Sequence, residues 1–324
     1  MTEHTLQARK DFSRIGLSLL VIGIVSMVAQ ALAVLLWNRF LRFTALGDLE
    51  IMNWVLTFAP IYLIGIPSGL LIMKTVASEP RPVQKLGGKG FWMLMLMCIP
   101  IMYGGNLIGT VLSALLSGGS AQNPLMDYVM GNPLYSFLFA VVLAPLVEEY
   151  LFRKQIIDRV GKYGEKTAVL FSALTFALFH MNLFQFFYAF GLGVLFAYAY
   201  TRTRALRYSV AMHMIINCMG SVIAPMLLNN LDLDVLSAME SGTATSEQLL
   251  RFLPGLGAYL LYCMLLLAGV GLGALLLVRQ WSKRRFSPTD CALPPKGAGK
   301  TVYGNAGVIL FMLFCLIMIV LALI

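Results

Sequence analysis

Three short spacings in this sequence bring together side chains that can move protons. Glu148 and Glu149 stand side by side in VVLAPLVEEYLFRKQ, residues 141–155, with Arg153 four residues beyond the second. Phe176 and His180 are four apart in FALFH, and His213 and Asn217 repeat that spacing in HMIIN. Residues four apart share one face of a helix, so Arg153 can hold Glu149, with the acid N-terminal to the base. Glu148 then points about 100° away from Glu149 and faces something else. By the same rule the Phe176 ring can pack beneath the His180 imidazole, while His213 and Asn217 set two hydrogen-bonding groups on one face.

The elements that must position these residues are apolar. The chain has 324 residues, 59% hydrophobic and 12% charged, with a mean hydropathy of +0.80. A soluble domain carries roughly 25% charged residues, so half that value points to a membrane as solvent. A bilayer core takes about 20 helical residues to cross. Nine apolar segments meet or approach that length, near 15–38, 51–73, 91–117, 133–152, 167–183, 184–201, 208–229, 255–278 and 302–324. The alternating short strands of a closed barrel are absent from the sequence. The expected fold is all-α: a polytopic helical membrane protein of about nine transmembrane or re-entrant helices. In such a chain an ionisable residue costs about 2.5–3.5 kcal/mol at mid-helix and is a functional candidate by default. Of the 15 Asp and Glu, only Glu148 and Glu149 fall inside an apolar segment, as do two of the three histidines, His180 and His213.

The net charge of +9 follows topology. Basic clusters at Lys74–Lys89, Arg153–Lys166, Arg202–Arg207 and Arg279–Lys300 (the last including Arg285) alternate with loops that are neutral or acidic. The positive-inside rule then puts the N-terminus, with Arg9, Lys10 and Arg14, in the cytoplasm and the C-terminus outside. A cell-membrane, multi-pass protein is expected, with lipid as partner and no nucleic acid. The five cysteines have no metal-ligand spacing and read as small apolar residues. The first apolar segment is too long for a signal sequence and is kept as a helix. One membrane domain is expected, with N-terminal helices over 1–132, a core over 133–229, and C-terminal helices with a basic inner loop over 230–324.

Depth along the bundle relates the polar residues to one another. A helix carrying Glu148 that reverses at Gly161-Lys162-Tyr163-Gly164 is followed by one carrying His180, and 164 is their midpoint. Arg153 and Arg207 read as snorkelling markers of the cytoplasmic interface. Glu148 and His213 then lie five and six residues inside it, about 8–9 Å deep. The 21 residues of 181–201 are short for two crossings and suggest a shallow or re-entrant pair. Pro145 either loosens the helix and leaves room for a water or is only a tolerated kink.

Each feature has an ordinary alternative. The glutamates can form a structural knot with Arg153 and Lys154, His180 can simply pack on Phe176, and His-x-x-x-Asn can be a helix-to-helix hydrogen bond. What separates this chain is the order of the three patterns, their matched depth and the scarcity of other buried ionisable groups.

Glu-Glu-x-x-x-Arg (148–153), Phe-x-x-x-His (176–180) and His-x-x-x-Asn (213–217), on successive membrane helices, together resemble the CAAX protease and bacteriocin-processing family. Its members are also called Abi proteins and type II CAAX prenyl endopeptidases. The resemblance covers roughly residues 133–229 and implies hydrolysis of a peptide bond within the membrane, with a peptide or protein substrate. It puts water activation on Glu148 and His180 and oxyanion stabilisation on His213 and Asn217, with Glu149, Arg153 and Phe176 in support. A carboxylate held out of bulk water suits the first role, and aimed donors suit the second. The family is commonly described as metalloproteases, and Glu148, His180 and His213 could hold Zn²⁺ with water in the fourth position. The chain has no His-Glu-x-x-His pattern, and a glutamate-activated water needs no metal, so the involvement of Zn²⁺ is left open. Two other classes keep the same polar residues: a peptide-binding or bacteriocin-immunity protein that does not cut, and a transporter using Glu and His as a proton relay. A transporter is disfavoured because no inverted repeat is visible.

Overall fold

The computed structural model describes residues 2–44, 46, 49–79, 81–284, 286–287 and 289–324, the side chain of Ser282 excepted. Arg285 of the last basic cluster lies outside them. All nine apolar segments form helices: α1 Glu3–Leu41, α2 Ile51–Met73, α3 Gly88–Ser117, α4 Pro133–Tyr163, α5 Glu165–Phe179, α6 Leu183–Thr203, α7 Leu206–Asn229, α8 Ser246–Gln280 and α9 Ala306–Leu321. Seven are long and apolar enough to cross a membrane; α5 and α9, with 15 and 16 residues, are shorter. The protein is a polytopic helical membrane protein, with no strand among the described residues.

Two cores hold the bundle. One joins Phe12, Leu19 and Ile22 of α1 to Phe152 of α4, Phe171 of α5 and Phe311 of α9. The other joins Leu94, Met97 and Cys98 of α3 to Phe196 of α6 and Met212 of α7. The outward faces remain apolar, as with Met264, Leu265 and Leu267 of α8, each more than 60% exposed, because lipid is their solvent. The approach of α9 to α1 depends on small residues. A Cβ on Gly307 would run into the Ser13 carbonyl, and one on Gly16 into the backbone of Val308.

The chain reverses between α4 and α5 at Gly164, whose φ of +120° suits a residue without a side chain. It reverses again between α6 and α7, where Arg204 takes a left-handed φ of 54°. These two turns lie at the same end. Arg204 Nη1 is 3.2 Å from Asp158 Oδ1, and Tyr200 donates to the same oxygen at 2.9 Å. Residues 181–201 therefore do not form a pair of short crossings. They make a tight turn and then one helix, α6, which returns beside α5, since 21 residues at about 1.5 Å each suffice for a single passage.

That basic end is knit by acids whose burial the sequence did not reveal. Asp11 is 3% exposed, and Asp158 and Glu165 are each 5% exposed. Asp11 accepts from the Tyr163 hydroxyl at 2.7 Å, and Glu165 accepts from the Ser287 backbone at 2.6 Å. Because they lie at helix ends, outside the apolar segments, counting acids within those segments passes them over.

Candidate active site

Glu148 and Glu149 divide as their angular offset on the helix requires. Glu149 is fully buried and takes a bidentate pair from Arg153, Nε to Oε2 at 3.0 Å and Nη2 to Oε1 at 3.1 Å. The remaining Arg153 nitrogen, Nη1, donates to Ser172 Oγ at 3.1 Å, and the Ser172 hydroxyl in turn donates to the Phe152 carbonyl at 2.7 Å. The guanidinium carbon sits 4.5 Å from the Phe176 ring centre. A charge taken out of water is tolerated only when its lone pairs and protons are satisfied in this way.

Arg153 thus does not mark an interface. It is fully buried, whereas Arg207 is exposed. Snorkelling fails for Arg153 because Glu149, one turn away, offers it a matched partner inside the bundle. The depth measured from it must be revised too. Glu148 lies 13 residues before the turn at Gly161, about 20 Å from that end of the bundle.

Glu148 is left facing a cavity of about 350 Å³, walled by apolar side chains and shared with His180, His213, Asn217 and Tyr62. Helix α5 delivers His180 at its C-terminus. The His180 Nδ1 lies 2.8 Å from the Phe176 carbonyl oxygen, which can only accept. The proton is therefore on Nδ1, and Nε2 of the neutral ring is free to act as a base. The Phe176 ring packs edge-on at 4.8 Å, as its spacing predicts. Just beyond, Met181 takes a left-handed φ of 53°, and Asn182 fastens the turn by donating to the His180 carbonyl at 2.9 Å while its Oδ1 caps α6.

Helix α7 brings the third pattern to the same cavity. Glu149 Oε1 accepts from His213 Nδ1 at 3.1 Å, so Nε2 faces Glu148, 3.8 Å from its Oε2. The His213 ring also stacks on Phe196 at 5.2 Å. Asn217 donates its amide to the Ala140 carbonyl at 2.8 Å. That oxygen is free for a local reason. Residues 136–143 form a π-helical turn, in which a carbonyl bonds to the N–H five residues on. For Ala140 that residue is Pro145, which has none.

Glu148, His180, His213 and Asn217 are therefore brought together, with Glu149, Arg153 and Phe176 behind them. Sequence reasoning missed Ser172, although Ser172, Phe176 and His180 form one stripe at four-residue spacing. It also missed Tyr62 and the pairing of Glu149 with His213, which carry no local signal. No three His, Cys, Asp or Glu side chains among the described residues gather as a ligand set, while His180 and His213 each give Nδ1 to a protein acceptor and line the cavity with Glu148.

Comparison with known proteins points to one family. The sequence model described as type II CAAX prenyl endopeptidase Rce1-like matches residues 130–219. A curated relative, the membrane-embedded CAAX protease MroQ of Staphylococcus aureus (strain USA300), is 31% identical over 151 residues. The alignment spans 43% of this chain and 58% of that relative. No solved structure matches the chain.

Proposed function

We propose that this chain, whose residues 130–219 match the type II CAAX prenyl endopeptidase model, is an intramembrane endopeptidase in which Glu148 and His180 activate the attacking water. The observation that carries this reading is the division of the glutamates. Glu149 is consumed by Arg153 and His213, while Glu148 faces the cavity opposite two imidazoles.

A water held between Glu148 and His180 Nε2 loses a proton to Glu148 as its oxygen adds to the scissile carbonyl carbon. The carbonyl electron pair moves to oxygen, where the second amide proton of Asn217, and His213 when it carries a second proton on Nε2, can stabilise it. When the carbon–nitrogen bond breaks, Glu148 returns the proton to the leaving amine. Arg153, Glu149 and Ser172 fix the orientation of His213 and of the Glu148 turn. The substrate is a peptide or protein segment that can enter the apolar cavity from the membrane. The basic end of the bundle faces the cytoplasm in this reading.

The test is cleavage of internally quenched, membrane-partitioning peptides by purified wild type, Glu148→Ala and His180→Ala, with and without a chelator. Loss of cleavage in both variants supports the assignment, and unchanged activity in both removes it. Loss of activity on chelation would add a metal to the scheme. Wild-type protein that binds but never cuts would favour the peptide-binding alternative.

A further inference from the structure

Tyr62 reaches the same cavity from α2, well outside the matched residues 130–219. Its hydroxyl oxygen is buried and has no hydrogen-bond partner among the described residues. A buried hydroxyl left unpaired is costly, so its position in the cavity shared with Glu148, His180 and His213 calls for a ligand.

Neighbouring donors are already committed. His180 Nδ1 is given to Phe176, His213 Nδ1 to Glu149, and one Asn217 proton to Ala140. Tyr62 differs from them in having its proton unspent. It is also held rigidly. A Cβ on Gly65 would collide with Ser26 Oγ, and one on Gly69 with the Ile22 side chain, so this part of α2 lies tight on α1. The Tyr62 ring packs against Phe58 at 5.5 Å. A donor fixed in advance in an apolar cavity is what stabilises charge that appears only in the transition state.

We propose that the Tyr62 hydroxyl is a further catalytic residue, donating a hydrogen bond to the oxyanion formed when water adds to the scissile carbonyl. This role rests on the endopeptidase reading. Tyr62 keeps its proton throughout; the proton taken from water travels by Glu148 to the leaving nitrogen.

The experiment compares wild type, Glu148→Gln and Tyr62→Phe on one internally quenched, membrane-partitioning peptide, with kcat and KM separated and thermal unfolding measured on each. Tyr62→Phe removes one oxygen, and kcat is expected to fall on the order of 10²-fold with KM little changed. Inhibition by a phosphonamidate version of the same peptide is the second readout, since it presents the tetrahedral oxyanion without turnover. It should weaken by a similar factor in Tyr62→Phe, while binding of an uncleavable analogue with a planar amide does not. If wild type cleaves, Glu148→Gln does not, and Tyr62→Phe matches wild type, the Tyr62 role is overturned and the endopeptidase reading stands. A rise in KM alone also overturns it. If wild type cleaves nothing, the endopeptidase reading falls and takes the Tyr62 role with it.

Discussion

Asn217 of α7 closes on the carbonyl oxygen of Ala140 in α4 at 2.8 Å, the oxygen that Pro145 leaves without a backbone donor. One side chain thereby repairs a helix defect and lines the cavity that Glu148 faces. Replacing Asn217 with Ala leaves a buried carbonyl unpaired, at about 1–3 kcal/mol. In a Pro145→Ala background the helix can supply its own N–H, and the same substitution should cost clearly less. Thermal unfolding of the two single variants and the double variant measures this coupling. Additive losses would show that Pro145 is not what frees Ala140.

The two adjacent glutamates should separate in opposite ways. Glu149→Gln strips a fully buried Arg153 of its counter-charge, and breaking such a pair costs about 3–5 kcal/mol. Yield and thermal midpoint should fall sharply. Glu148→Gln removes a carboxylate that faces the cavity, so unfolding should be nearly unchanged while peptide cleavage is lost. Equal destabilisation by both would contradict the division of roles.

Arg153→Lys keeps the charge but not the fork. Lysine cannot reproduce two parallel bonds to Glu149 together with a third to Ser172. Its stability should lie well below that of wild type, and Ser172→Ala should cost less in this background than in wild type, because the bond Ser172 accepts is already gone while the one it donates to Phe152 remains to be lost. A double-mutant cycle read by unfolding tests this.

Orientation can be read from Cys291, which is exposed in the basic loop after α8. In a variant keeping only that cysteine, a membrane-impermeant maleimide should label inverted membrane vesicles and leave intact cells unlabelled. Labelling of intact cells would reverse the topology inferred from charge.

Much of the fold was legible because apolar length is a local property, and each of the nine segments became a helix. The different fates of Glu148 and Glu149 were legible too, since Arg153 is one turn from only the second. What failed was anything requiring the identity of a distant neighbour. Arg153 read as an interface marker because the sequence around it gives no sign that its partners fill all three nitrogens. The bond from His213 to Glu149 spans 64 positions, and Tyr62 belongs to a helix with no recognisable pattern. The π-helical turn before Pro145 was half visible: the proline announces a missing donor, but not which side chain will supply one.

The arginine cluster also bears on how the protein enters the bilayer. Arg153 finds its acid on α4 and its serine on α5, all between residues 149 and 172. Alone at mid-helix a cation would cost about 2.5–3.5 kcal/mol to insert. Delivered as a hairpin, α4 and α5 carry that charge already neutralised and hydrogen-bonded, before α7 has been synthesised. The natural unit of insertion is therefore the helical pair, and His213 arrives later at an anchor that is already in place.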